Sequence, residues 1–178
     1  MHNINYHIEN FRIEIENIYK AYRFSNAGLY NYKRLVKDDI TKNPENFHIV
    51  DEECEIEIKF TEEELEEANH LGFYQKIIAG NTIAMIYNLW EDKYRPKFAK
   101  YLNYEETKDL KNDFFGELGK IRHAIVHTNY SYTSKLKNLQ ILKSFIVNKQ
   151  LILSLFEVDY VYRQALKALE EIEIKAMN

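Results

Sequence analysis

Apolar positions along this chain follow the helical period over most of its length. From about Asn5 to Val36, residues Ile8, Phe11, Ile15, Ile18, Tyr22 and Leu29 keep helical spacing, which predicts one long helix or a bent pair divided near Gly28. Between Lys37 and Phe60 that pattern fails. Asn43-Pro44 reads as a turn, and Glu55 to Phe60 alternates polar and apolar residues as a short strand does. Thr61 followed by Glu64 has the form of a capping box, so a helix is predicted to begin near Glu62. Gly72 interrupts it before Phe73 to Trp90, a stretch apolar on several faces that reads as the central buried helix. Pro96 ends or kinks the segment after it.

A further helix is predicted from about Glu105 to His127, then a loop over 128–133 and a short helix over Ser134 to Leu142. Phe145 to Leu155 carries two β-prone runs around Asn148-Lys149, a hairpin signal. The chain closes on an amphipathic helix from about Val158 to Ala176, with Val161, Ala165, Leu169 and Ile172 on one stripe. No internal repeat, linker or low-complexity tract interrupts the order. The expected architecture is mainly α: one domain over 1–178, a helical bundle with a small β-hairpin elaboration and an acidic, partly irregular insertion at about 37–67.

Composition narrows the function classes. With 46% hydrophobic and 29% charged residues the chain is built to fold, and 5 Gly with 2 Pro leave few breakers for an all-β fold. A single cysteine, Cys54, excludes an intramolecular disulfide framework and a thiolate zinc cage made by this chain alone. Cys54 also sits in an acidic run, which would raise its pKa and blunt its nucleophilicity. No apolar run reaches the roughly 18 residues that a membrane span needs, and the first twenty residues lack a signal-peptide core. A cytoplasmic protein without a membrane partner is expected. Neither a phosphate-binding glycine loop nor a Gly-x-Ser-x-Gly elbow is present, so ATPase and serine-hydrolase readings have no support.

The net charge of −4 is a sum of opposites. Residues Asp51 to Glu67 contain ten acidic side chains and one lysine, a local charge of −9. The other residues hold 23 Lys+Arg against 18 Asp+Glu, or +5. A mildly basic body is compatible with an RNA partner, and the acidic arm is a candidate to lie over a basic cleft and inhibit it.

The helix expected over 105–127 carries the candidate chemistry. Leu110, Phe114, Leu118, Ile121 and Ile125 form a core stripe. At about 100° per residue, Phe115, Gly116, Gly119, Arg122, His123 and Val126 fall on the far face, with His127 at its edge. A solvated face would carry Glu, Lys and Gln. Two helical glycines cost about 1 kcal/mol each relative to alanine. Close approach by a second copy of the helix, or by a substrate, would account for them.

Arginine is a fixed cation whose planar fork matches phosphate, and histidine takes and gives protons near neutral pH. Together they suffice for metal-free RNA cleavage. Arg122 and His127 stand five residues apart, about 140° around an ideal helix, so their tips meet only if the helix frays or if a two-fold pairing brings both motifs to one groove.

The stretch from Glu117 to His127, with Arg122-His123-Ala124-Ile125-Val126-His127 at its end, resembles the signature of HEPN domains. Their hallmark is an Arg, usually followed by a polar residue, and a His after four to six intervening positions. RHAIVH is similar to the frequent RNxIVH wording. The resemblance covers the chain loosely from Phe73 to the last helix and not the first 60 residues. It implies a dimeric helical bundle that acts as a metal-independent endoribonuclease leaving a 2′,3′-cyclic phosphate, without cofactor, in toxin–antitoxin, phage-defence or CRISPR-associated settings. Carried over, Arg122 and His127 are catalytic and His123, in place of the common Asn, is the supporting polar residue. Glu117, Lys120 and Tyr130 complete the candidates as supporting or substrate-binding residues, and the homodimer would form through the 105–127 helix face. In one branch a tyrosine two positions after the histidine is modified by a partner nucleotidyltransferase; here Tyr130 comes one position later. An antitoxin or nucleotidyltransferase is thus a candidate partner.

Other readings stand beside this one. Arg122 and His127 could pair with carboxylates such as Glu117 in a non-catalytic dimerisation or partner-binding module. His123 and His127 have a spacing that can grip a metal, but the zincin pattern needs Glu where this chain has Ala124, and no third ligand is recognisable. Tyr130 and Tyr132 either pack on the bundle rim or stack on unpaired bases. Lys135, Lys137 and Lys143 either track a phosphate backbone or form a solvated face.

Overall fold

The helical period at the start of the chain runs without a break. In a computed structural model, which describes residues 4–42, 48–51, 53, 56–59 and 61–177, helix α1 spans Ile4–Lys42, 39 residues, or about 58 Å of helix. Gly28 does not divide it. Ile8, Phe11, Ile15 and Tyr22 are buried on one face, as their spacing requires. Strands β1 (His48–Asp51) and β2 (Ile56–Lys59) pair antiparallel, with Ile49 opposite Ile58. The expected strand is thus present, and 37–42, expected to be irregular, continues α1. The Asn43-Pro44 turn and Cys54 lie outside the described residues.

Helix α2 (Glu62–Glu66) begins on the expected capping box: the Thr61 side chain accepts from the Glu64 N–H at 3.2 Å, and Glu64 accepts from the Thr61 N–H at 2.8 Å. Lys33 ties it to α1 through Glu66 at 2.8 Å. Gly72 separates α2 from helix α3 (Phe73–Asn88), whose buried residues occupy several faces. Its winding then loosens into a π-helical stretch, Leu89–Tyr94, and tightens again into helix α4 (Arg95–Tyr101). Pro96 lies in the first turn of α4, where a missing N–H is tolerated, so the chain changes winding at the proline instead of stopping.

Helix α5 (Asp113–His127) starts eight residues later than the periodicity predicts. Arg95 is the reason. Its guanidinium donates to the carbonyls of Leu110 and Lys108, each at 3.0 Å, so these groups are held from outside and cannot enter a helical ladder. Leu110 is buried as expected, but from extended backbone. The Asn112 side chain then caps α5 by accepting from the Phe115 N–H at 3.1 Å.

The short helix expected over 134–142 is absent. Only 3-10 turns form, at Ser134–Leu136 and Lys143–Phe145. Between them the N–H groups of Gln140, Ile141 and Leu142 all donate to the Glu117 carboxylate, which diverts the donors a helix would need. Strands β3 (Ile146–Val147) and β4 (Gln150–Leu151) form the predicted hairpin, turning through Asn148 and Lys149 at φ 50° and 59°. Positive φ at both central residues is what a two-residue turn between twisted strands requires. Helix α6 (Leu155–Met177) starts slightly earlier than predicted and packs along α1, where the rings of Tyr19 and Tyr162 stack at 4.2 Å.

The protein is therefore mainly α, six helices and two small antiparallel ribbons among the described residues. One aromatic cluster sets the position of α5. Phe11 of α1 stacks on Tyr94 at 4.6 Å, and Trp90 lies flat on Phe115 of α5 at 4.3 Å with an interplanar angle of 3°. Each such pair adds about 0.5–1.5 kcal/mol beyond burial. Among the described residues no helix is long and apolar enough to cross a membrane.

Candidate functional site

Phe114, Leu118, Ile121 and Ile125 bury the inner face of α5 as expected. The outer face differs from the expectation in two respects. Phe115 points inward, onto Trp90. Gly119 does receive a close approach, but from Tyr87 of α3: a Cβ added there would lie 2.9 Å from the Tyr87 ring. The crowding assigned to a second copy or a substrate is intramolecular at this position. Gly116 alone faces open space, with nothing within 4 Å of an added Cβ.

The polar end of α5 is drawn together. Arg122 Nη1 lies 3.0 Å from His127 Nε2, although ideal helical geometry sets the two residues about 140° apart. His127 is the last residue of the helix, and the backbone leaves helical geometry at Thr128, so the imidazole is free to turn back toward the long arginine. Guanidinium has donors only. In this contact Nε2 of His127 can therefore act only as the acceptor, through its lone pair.

His123 completes a row of bases. Its ring centroid is 4.9 Å from that of His127, and Lys135 Nζ is 3.5 Å from its Nε2. Desolvation, and then the charges of Lys135, His127 and Arg122, hold the His123 pKa below the usual value of 6.5. Among the described residues no carboxylate forms an ion pair with Arg122, His123, His127 or Lys135. The Arg122 Nε is buried and has no hydrogen-bond partner there. Four basic side chains without a counter-charge form a surface that favours an anion with several oxygens.

Glu117 does not belong to this group. Its Oε1 accepts from Gln140 N–H at 2.6 Å and its Oε2 from Ile141 and Leu142 at 2.9 and 2.8 Å, so it anchors the loop instead of supporting or neutralising Arg122. Lys120 is half-buried and lines a shallow cavity of about 290 Å³ with Tyr87, Arg95 and Gly116, a lining that contains neither Arg122 nor His127. Three carboxylates of the acidic arm are engaged locally: Glu64 with Thr61, Glu66 with Lys33, and Glu67 with the Phe73 N–H. None of them covers the basic row. No group of three or more His, Cys, Asp or Glu is placed to hold a metal ion among the described residues.

The loop after His127 is bent by force. Asn129 and Tyr130 both take positive φ, 47° and 62°, and the Tyr130 N–H returns to the Ala124 carbonyl at 3.0 Å. A bulky residue in that region costs about 1–2 kcal/mol. The bend carries the Tyr130 ring onto α3 over Gly80, where an added Cβ would meet the ring at 2.7 Å. Lys76 Nζ stands 5.3 Å from the ring centroid. Tyr130 and Tyr132 are both half-buried at the rim of the bundle. Lys76, Gly80 and Tyr87 are the neighbours that sequence reasoning missed. A glycine at position 80, inside a strongly apolar helix, was the one available sign of close approach.

No protein-family model, no curated protein and no solved structure matches this chain.

Proposed function

We propose that this protein is a metal-independent endoribonuclease of HEPN type, working as a homodimer in a toxin–antitoxin or phage-defence system. One observation carries the reading: Arg122 and His127 meet at 3.0 Å inside a row of basic side chains that no described carboxylate pairs with. A merely structural Arg–His pair would be expected to share an acidic partner, because an uncompensated cluster of bases repels itself.

The chemistry follows from the pairing of a fixed cation with an imidazole. His127 Nε2, with its lone pair, removes the proton from a ribose 2′-OH. The 2′-oxygen then attacks the adjacent phosphorus, and the bond from phosphorus to the 5′-oxygen breaks. Arg122 leaves the imidazole for the non-bridging oxygens and offsets their developing charge. The His127 of a second copy, in its protonated form, gives its proton to the leaving 5′-oxygen, so one imidazole gains a proton as the other loses one. The products are a 2′,3′-cyclic phosphate and a 5′-hydroxyl, and no metal enters any step. Lys135 adds positive charge beside the phosphate path, and His123 a ring nitrogen able to hydrogen-bond.

Incubation with total RNA in EDTA is the test. The wild type is expected to leave cyclic-phosphate ends, and His127→Ala to cut at least about a hundredfold more slowly. The variant should remain a dimer by light scattering. Cleavage abolished by EDTA would overturn the mechanism. Absence of cleavage by a folded wild type would leave the arrangement as a partner-binding module.

A further inference from the structure

A second basic feature lies beyond the end of α5, walled in part by the strained loop. Lys76, Tyr130, Ser131, Tyr132, Lys149 and Gln150 line an open cavity of about 580 Å³ between the start of α3, the 128–133 loop and the β3–β4 hairpin. That volume is within the roughly 300–1,000 Å³ typical of small-ligand sites. Its lining has two lysines and no carboxylate. Lys76 is half-buried, its pKa is lowered by desolvation, and its ammonium rests over the Tyr130 ring with no acidic partner among the described residues.

Several independent features converge there. Two phenols and a primary amide offer flat surface and hydrogen-bonding edges, which suit a heterocyclic base. Two ammonium groups without counter-charge among the described residues suit a phosphate. The strain at Tyr130 is spent on holding this wall in place, since Asn129 and Tyr130 adopt left-handed backbone to bring the ring against Gly80. Tyr130 is three residues from His127, so their Cα atoms are no more than about 11 Å apart. A strand crossing the Arg122–His127 pair therefore has a neighbouring nucleotide within reach of the cavity.

We infer that this cavity binds one nucleotide of a single-stranded RNA next to the bond cut at Arg122 and His127, its phosphate on Lys76 and Lys149 and its base against Tyr132. The inference rests on the endoribonuclease reading and assigns that site a specificity pocket. The pocket, more than the Arg–His row, then selects where along a strand the enzyme cuts.

Fluorescence anisotropy with a labelled ten-residue oligouridylate tests it, in the His127→Ala background so that the probe stays intact. Lys76→Met keeps the aliphatic contact with Tyr130, and Lys149→Gly suits the φ of 59° at the turn, so both variants preserve the fold. Together they should weaken binding about tenfold and reduce the slope of log K against log salt by about 0.7, the value for one neutralised phosphate on a single strand. Tyr132→Ala should cost at least about fivefold. Lys167→Met with Lys175→Met removes the same charge from α6 and should leave affinity within about twofold.

Equal losses in the cavity and α6 pairs, unchanged binding in the cavity pair, or no binding by the parent would each overturn the pocket. Displacement of the oligonucleotide by micromolar uridine monophosphate would also overturn it as a strand site, in favour of a free nucleotide. The endoribonuclease reading is judged separately, by cleavage of total RNA. A wild type that cuts RNA while the cavity pair binds normally refutes the pocket alone.

Discussion

At the scale of single residues, the two glycines of α5 have opposite surroundings and should respond oppositely to a methyl group. Gly116→Ala meets nothing within 4 Å and removes a helix-weakening glycine, so it should stabilise the fold by up to about 1 kcal/mol. Gly119→Ala drives a Cβ into the Tyr87 ring at 2.9 Å, and the displacement should cancel that gain or turn it into a loss. Thermal unfolding of the two variants side by side checks the order. His123 offers a titration. Its NMR midpoint should fall below 6.5, and Lys135→Ala should move it upward by removing a neighbouring cation. Because the folded pKa is the lower one, the unfolded chain binds more protons just below pH 6.5. His123 thus contributes stability that is complete above that pH and is lost as pH falls through the folded midpoint.

At the scale of elements, what could be read in the sequence is what local physics decides. The 3.6-residue stripe of α1, the Thr61–Glu64 box and the Asn148-Lys149 turn all formed as predicted, because each depends on neighbours in sequence. The failures share a different cause. Leu110 continues the apolar stripe of α5, yet Arg95, fifteen residues earlier, holds its carbonyl outside the helix. Gln140 to Leu142 look helical, yet Glu117 claims their N–H groups. The Arg122–His127 contact was legible as a motif and not as a distance, since it needs the helix to end at His127. Glu117→Ala should strand three backbone donors, one of them fully buried, and destabilise the protein by about 3 kcal/mol. Hydrogen exchange over 137–142 should accelerate with it. Were Glu117 a catalytic support instead, the variant would lose cleavage per folded molecule while its stability stayed unchanged.

At the scale of the whole molecule, net charge says little about where an anion would settle. In the acidic arm Glu64 and Glu66 are held by Thr61 and Lys33, while the lining of the Lys76–Lys149 cavity and the contacts of the Arg–His row include no carboxylate among the described residues. The helix that carries the row is held by the aromatic cluster around Trp90. This is the only tryptophan in the chain, 2% exposed and face to face with Phe115. The molecule therefore contains a built-in optical gauge of its own site. Its fluorescence should be blue-shifted while α5 is docked and should move to the red when Phe115→Ala or denaturant loosens that one contact, before or together with loss of helical signal. A spectrometer can thus report whether the scaffold under Arg122 and His127 is intact, without label, substrate or partner.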